Sequence, residues 1–391
     1  MRQKTVVLIF TLIISLNVNS ANAAISPLSI PEVFNKLLKV PALSNPSMIL
    51  LDETTGEVVY ERNSNSLRKP ASVMKLLSAT ATLEYLDPLS RFETKLFLGL
   101  QPKSLVIQGS YDPWISLDSV VAKKMHRTSL PYLAYKAMTA IKTANHGSLH
   151  NITVTYSGIY SQDVSNLKAY WNKRGFRPTM KAAATATVIA AEGSPITSSQ
   201  SPTISEILDF TLLWSDNVLA ERLARLSSRA AGYSFDDLGV SLTFAEVLSR
   251  LGIDSTNLVI IDASGLSKEN RVTAQIIGQL LLKTRKDPKF ALLYKSLPVS
   301  GISGTLKERF ITTAPSAVGL IHAKTGTLNG TVTLAGYVES TDREYVFVTL
   351  ADEIPNGIRA EDRARAAIDR LLGRIAAPNI EAQISVATEL P

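Results

Sequence analysis

Cysteine is absent from the 391 residues, so no disulfide framework holds this chain and its stability has to come from a hydrophobic core. Histidine is nearly as scarce: His126, His146, His150 and His322 are all there are, with no His-Glu-x-x-His run and no carboxylates at ligand spacing. That pattern predicts no metal site and no cofactor, and it leaves no Ser-His-Asp arrangement to build; His322 reads as a strand residue rather than as a base. No block of basic residues with interleaved aromatics suggests a nucleic-acid partner. Long apolar runs are missing too. Residues 6–16 form an apolar run that follows Arg2 and Lys4 and precedes Ala21-Asn22-Ala23. It is too short to span a bilayer, and it has the charged, apolar, small-residue order of a secretory signal. The expectation is a signal over residues 1–23 and a mature chain from Ala24, exported to a periplasm or cell wall without a transmembrane anchor. Without Arg2 and Lys4 the formal charge falls from +7 to +5, a mild excess suited to an acidic polymer or an anionic surface.

What is there begins with length: the 391 residues less the 23 of the signal leave 368, ample for a hydrophobic core and for two or three domains or one large domain with an insertion. The stretch around which the rest is organised is Lys69-Pro70-Ala71-Ser72-Val73-Met74-Lys75-Leu76-Leu77-Ser78. Pro70 disfavours helix before it and suits a first turn, so the spacing predicts a helix from about Pro70 to about Leu86, ahead of Pro88. Residues three apart share a helix face, which brings the Lys75 amine to the Ser72 hydroxyl at the positive end of the dipole. Ser-x-x-Lys by itself is weak, since Ser66 to Lys69 and Ser165 to Lys168 match it as well and such a lysine is ordinarily solvated. Only the Ser72 copy opens a helix that is apolar nearly all round, and such a helix is buried. A lysine at its mouth is one whose charge is costly, the condition that turns an ammonium into a base.

Residues 48–52 and 57–61 read as a hairpin around Glu53-Thr54-Thr55-Gly56. Residues 95–192 are different in character, with short strands at 104–108 and 151–156, a helix over 132–144 and many turn signals such as Gly109-Ser110-Tyr111-Asp112-Pro113. This region reads as an inserted mixed α/β subdomain, with the catalytic unit formed by 24–94 and 193–391. Helical signals resume at 202–214 and 218–229, and the connection between them carries Ser215-Asp216-Asn217. Short polar side chains there either cap the helices or face a ligand. Residues 258–261 read as a strand. Lys324-Thr325-Gly326-Thr327 precedes two sheet-forming runs, 332–339 and 345–350, which places Lys324 on or beside an edge strand where glycine lets a ligand lie close to the backbone. Residues 360–375 form an amphipathic helix that should pack on that sheet.

Taken in order, Ser72-x-x-Lys75, Ser215-Asp216-Asn217 and Lys324-Thr325-Gly326 form the signature set of class A β-lactamases and penicillin-binding proteins. The chain resembles in particular the D-alanyl-D-alanine carboxypeptidase/endopeptidases, the low-molecular-mass class C penicillin-binding proteins. The stretches that carry this are 215–223, Asp262-Ala263-Ser264-Gly265-Leu266-Ser267, Gly304-Thr305-Leu306 and 324–337. Ala263 stands where the family usually has glycine, and the 143 residues from Ser72 to Ser215 are fewer than the family's insertion normally makes them. The resemblance implies an α+β fold, a five-stranded antiparallel sheet from both chain ends flanked by helices with a helical domain across the cleft. It implies hydrolysis of D-alanyl-D-alanine bonds in peptidoglycan stem peptides, or of their cross-links, and covalent capture of β-lactam antibiotics. Carried over residue by residue, Ser72 is the nucleophile, Lys75 its base and Ser215 a proton relay. Asn217 bonds a substrate amide, Lys324, Thr325 and Thr327 hold the terminal carboxylate beside Gly326, and the N–H groups of Ser72 and Thr327 form the oxyanion hole. Lys75 is expected to be neutral near pH 7 through burial and the nearby charge of Lys324. The alternatives are a serine β-lactamase, a penicillin-binding sensor and a cell-wall scaffold. Against the first, the glutamate that class A enzymes carry some 36 residues past the triplet is replaced by Leu251, with Glu246, expected to face solvent, and Asp254 as the nearest carboxylates.

Overall fold

The structure is a computed structural model in which residues 24–378 are described; the expected secretory signal lies outside them. In chain order the strands are β1 (Ser47–Asp52), β2 (Val58–Arg62), β3 (Arg91–Gly99), β4 (Ser104–Gly109) and β5 (Thr153–Ser157). They continue with β6 (Thr179–Ala182), β7 (Glu192–Thr203), β8 (Ile321–Leu328), β9 (Thr331–Ser340) and β10 (Arg343–Ala351). The helices are α1 (Ile30–Leu37), α2 (Lys75–Tyr85), α3 (Ser119–Lys124), α4 (Leu130–Ala144), α5 (Ser161–Asn172) and α6 (Thr185–Ala190). After them come α7 (Ile204–Trp214), α8 (Asn217–Ala230), α9 (Asp237–Arg250), α10 (Ala274–Lys286), α11 (Ala291–Lys295) and α12 (Ile358–Leu372).

Two five-stranded sheets organise these elements. The first has the order β2-β1-β10-β9-β8 and is antiparallel throughout. Its inner strands are apolar runs rather than alternating ones, as sheets covered on both faces require. Because successive side chains of a strand point to opposite faces, Ile49 and Leu51 of β1 join a core with Leu76 and Leu77 of α2, Leu223 of α8 and Leu280 of α10. Met48 and Leu50 join the opposite core with Phe34 of α1 and Ile368 and Leu372 of α12. Helix α2 runs through the first core, and every residue from Lys75 to Leu83 is buried.

The second sheet, β6-β5-β4-β3-β7, is mixed: β3 is antiparallel to β4 and β7, while β4, β5 and β6 are parallel. Parallel neighbours need crossovers, and α3, α4 and α5 lie in those connections. Trp171 of α5 anchors their core, stacking edge-on against Phe176 and donating Nε1–H to the Ala134 carbonyl of α4 at 2.9 Å. β7 ends in Thr203, which caps α7 reciprocally with Glu206, so the strand hands the chain directly to the helix that leads to Ser215. Arg222 of α8 ties the two halves, donating to Asp163 of α5 at 2.9 Å and to the Pro113 carbonyl at 3.0 Å.

One expected strand does not form. Residues 258–261 make a single bridge, Val259 to Arg271, because the Ile261 and Asp262 N–H groups donate to the Asn270 side chain instead of to a neighbouring strand. The hairpin, the edge strand with Lys324 and the final helix form where the sequence indicates, although α12 stops at Leu372 and Ile375 is buried beyond it.

Candidate active site

The turn carrying Ser72 is a 3-10 turn, Ala71–Met74, that feeds α2 at Lys75. The helix therefore starts as the sequence predicts but one turn tighter, and in a 3-10 turn residues i and i+3 eclipse, which stands Lys75 over Ser72. Ala71 has φ of +45°, an uncommon conformation for a non-glycine residue, and two contacts hold it. Thr333 of β9 donates its hydroxyl to the Pro70 carbonyl at 2.8 Å. Gly265 packs on the Ala71 carbonyl so closely that a Cβ there would lie 1.8 Å from the oxygen, and its φ is +82°.

Lys75 is fully buried. Its Nζ donates to Ser72 Oγ at 2.8 Å, Asn217 Oδ1 at 2.7 Å and the Ser264 carbonyl at 2.7 Å. Burial pushes the amine down from 10.5 to about 8, and the carboxylates of Asp262, Glu221 and Asp216 keep it from falling further. Lys324 on β8 is also fully buried, bonds its Nζ to the Thr325 carbonyl at 2.9 Å and has no ion-pair partner among the described residues. Burial first, and then the Lys75 charge, push it well below 10.5. The coupling thus runs opposite to the sequence-based expectation. The Lys75 charge acts on Lys324, whereas Lys75 itself is set by its burial and by the three carboxylates around it.

The Ser215-Asp216-Asn217 triplet divides its labour. Asp216 is the cap of α8, accepting from the Leu219 N–H at 2.9 Å, so capping falls to the residue between the two singled out. Asn217 is freed for Lys75. Ser215 ends α7 in a left-handed conformation, φ 60° and ψ 40°, and makes no hydrogen bond with Ser72 or Lys75. β8 is the edge strand of its sheet, bridged by Val299 only at His322, and lies against the Ser72 turn: a Cβ on Gly326 would meet Thr333 Oγ1 at 2.2 Å and the Ser72 nitrogen at 2.9 Å. Thr325 bonds Thr305 hydroxyl to hydroxyl at 2.8 Å. Thr327 is exposed at the cleft mouth, accepting from Arg365 of α12 at 3.2 Å. The other two Ser-x-x-Lys copies carry no such surroundings; Ser165 bonds its own helix at the Ser161 carbonyl, and Lys168 is exposed. His322 stacks on Tyr294, 4.6 Å between ring centroids.

Sequence reasoning assigned no role to the groups behind these. Glu221 accepts from the Ala263 and Ser264 N–H groups at 3.0 and 2.8 Å, and Asp262 accepts from Gly265 and Ser267 N–H and from Asn270. Together they shape the loop whose Ser264 carbonyl holds Lys75. A signal for Glu221 existed: it follows Asn217 by four residues, on the same face of α8.

The arrangement is a buried amine on a partly exposed serine hydroxyl, beside the edge strand of a sheet. The family model of the D-Ala-D-Ala carboxypeptidase 3 (S13) family matches residues 32–142 and 147–375. Carboxypeptidase DacB of Mycolicibacterium smegmatis is 30% identical, over 84% of this chain and 81% of that protein. A D-alanyl-D-alanine carboxypeptidase of Actinomadura sp. is 26% identical, over 81% of this chain and 79% of its own length. The fold is similar to the crystal structure of penicillin binding protein 4 from Haemophilus influenzae, with a TM-score of 0.67 at 16% identity, covering 87% of this chain and 97% of that one.

Proposed function

We propose, on the premise that this chain belongs to the D-Ala-D-Ala carboxypeptidase 3 (S13) family, that Ser72 is the acylated residue of a serine D,D-peptidase acting on peptidoglycan stem peptides. The observation that carries the assignment is the buried Lys75 amine 2.8 Å from the Ser72 hydroxyl, within a general base's reach of the proton it removes. With the amine at about 8, roughly a tenth of it is neutral at pH 7.

The reaction then runs as follows. Neutral Lys75 takes the Ser72 proton as Oγ bonds the carbonyl carbon of the penultimate D-alanine. The N–H groups of Ser72 and Thr327 receive the oxyanion, the close approach of Gly326 to the Ser72 nitrogen bringing the two donors together. Asn217 presents its amide to the substrate backbone, while Lys324, Thr325 and Thr327 take the terminal carboxylate, which supplies Lys324 with the counter-charge it lacks. As the C–N bond breaks, the proton passes from Lys75 through Ser215 to the departing amine. Water later cleaves the ester. For a penicilloyl ester that last step is slow, because the described carboxylates of this region are committed elsewhere: Asp216 caps α8, Glu221 and Asp262 hold the 262–267 loop, Glu246 is engaged by Tyr233 and Arg250, and Asp254 is exposed and bound to Thr256. Residues 24–94 and 193–391 serve as the catalytic unit and 95–192 as the insertion, whose sheet takes in β3 from Arg91 and β7 as far as Thr203. The protein works outside the cytoplasm; no described helix is long and apolar enough to cross a membrane.

Intact-mass measurement after incubation with benzylpenicillin, followed by peptide mapping, tests the assignment. One adduct on the Ser72 peptide is expected, with release of D-alanine from an acyl-D-Ala-D-Ala peptide by the untreated protein. An adduct on another serine, or none on folded protein, overturns it.

A further inference from the structure

Between α3 and α4, away from Ser72, lies a groove of about 480 Å³. Lys123 and Arg127 line one side, Tyr132 and Tyr135 the other, and Tyr170 and Ser199 also face it. Tyr132 and Tyr135 are three apart on α4, hence on one face, and are 48% and 55% exposed. They are not displaced core residues, since α4 has its own buried face in Leu133, Ala134, Ala137 and Ile141. Single exposed aromatics need no explanation; three tyrosines converging on one concavity with two cations do. Tyrosine offers a rigid apolar ring face with a hydrogen-bonding tip. Tyr170 is already fixed from one side by Arg174, 3.6 Å above its ring.

The groove is also tied to the catalytic cleft. Arg127 donates Nε–H to the Trp114 carbonyl at 2.8 Å and lies 4.6 Å over the Trp114 ring. Trp114 in turn packs on Phe210 of α7 at 4.5 Å. Phe210 precedes Ser215 by five residues, about 7.5 Å of helix, and Arg127 feels the charge of Asp216.

We propose that this groove binds the glycan strand of peptidoglycan, a polymer of N-acetylated amino sugars, while a stem peptide of the same strand occupies the cleft. The proposal rests on the proposed function, because that reading supplies a substrate whose peptide is covalently hung from such a polymer. Sugar faces stack on Tyr132, Tyr135 and Tyr170, and Lys123 and Arg127 bond the acetamido and lactyl-amide carbonyl oxygens of the sugars. A stem of four to five extended residues spans about 15 Å, a length that suits a glycan site adjoining the cleft rather than within it.

The test is retention of the full chain on beads carrying immobilised glycan strands from which stem peptides have been enzymatically stripped. The wild type should be retained. Tyr132→Ala/Tyr135→Ala and, separately, Lys123→Glu should each weaken retention at least tenfold, with melting temperature, penicillin acylation and kcat/KM on a soluble acyl-D-Ala-D-Ala peptide unchanged. Soluble glycan oligomers should compete with the immobilised strands for the wild type, a readout that needs no variant. Failure of the wild type to bind stripped glycan, retention of both variants at wild-type strength, or binding to anionic lipid vesicles or single-stranded nucleic acid in place of glycan overturns the proposal. Absence of acylation and of D-alanine release counts against the proposed function instead, and is read in separate assays.

Discussion

If Lys75 is the base, the rate of penicillin acylation has to follow the fraction of Lys75 that is neutral. That amine sits at about 8, so about 1% is neutral at pH 6 and about 90% at pH 9. The second-order acylation rate, read by stopped flow or quenched intact-mass measurement below saturation, should therefore climb roughly 90-fold between those values and level off above. The direction follows from the chemistry, since only the unprotonated amine accepts the Ser72 proton. Glu221→Gln sharpens the test. The amide oxygen still accepts from the Ala263 and Ser264 N–H groups, so the loop is kept, while one of the three carboxylates that hold the Lys75 charge in place is removed. The midpoint should move to lower pH by on the order of half a unit to one unit, about 0.7–1.4 kcal/mol of interaction, and acylation at pH 6.5 should become faster than in the wild type. Lys75→Arg keeps the charge but does not deprotonate in proteins, and should lose acylation at every pH. A flat profile from pH 6 to 9 in folded protein, an unmoved midpoint in Glu221→Gln, or brisk acylation of Lys75→Arg would refute the assignment of the base.

Gly326→Ala should abolish acylation, by a hundredfold or more if one oxyanion donor is displaced, because the new methyl would lie 2.9 Å from the Ser72 nitrogen and 2.2 Å from Thr333 Oγ1; intact mass with penicillin reads the loss. Thr333→Val leaves the Pro70 carbonyl without its bond and should cost about 1–3 kcal/mol in denaturant unfolding together with slower acylation. The folded chain holds Lys75 below its unfolded value of 10.5, so the unfolded chain binds more protons between about 8 and 10.5 and stability rises with pH across that window. Relative to Lys75→Met, the wild type should gain about 3 kcal/mol between pH 8 and 10.5, a change that melts at a series of pH values would miss only if the amine titrated normally. Finally, the penicilloyl adduct should persist for minutes or longer by mass-resolved decay, while loss within a second with sustained penicillin hydrolysis would make the protein a β-lactamase.

Much of this site was legible because its residues act through local spacing. Ser72 and Lys75 are three apart at the start of a buried helix, Gly326 follows Lys324 on an edge strand, and residues 48–52 and 57–61 flank a short turn that marks a hairpin. What stayed hidden acts across the chain. The Ser264 carbonyl lies 189 residues from Lys75 and the Thr333 hydroxyl 263 residues from Pro70, and neither residue type looks unusual where it stands. The left-handed Ala71 is equally silent, since only Gly265 and Thr333, packed around it, make that conformation tenable. Residues 258–261 misled for the opposite reason: their β-branched composition favours a strand, yet the side chain of Asn270 took the N–H groups a strand would have offered a neighbour. The direction of the coupling between the two lysines likewise depended on where carboxylates fold, around Lys75 and not around Lys324.

The first sheet joins residues from opposite ends of the chain, Ser47 pairing with Leu350. Closing a loop of some three hundred residues costs about 5 kcal/mol of chain entropy before any contact repays it, and during synthesis β1 waits for β10 to leave the ribosome. Until then Thr333 is not in place behind Pro70 and no strand edge lies beside Ser72. A nascent or C-terminally clipped chain ending before β8 carries Ser72, Lys75 and the Asn217 helix, yet has neither the strand edge beside Ser72 nor the Thr333 bond that anchors the turn. A bond-cutting activity that depends on this edge is thus withheld from any fragment that ends before β8.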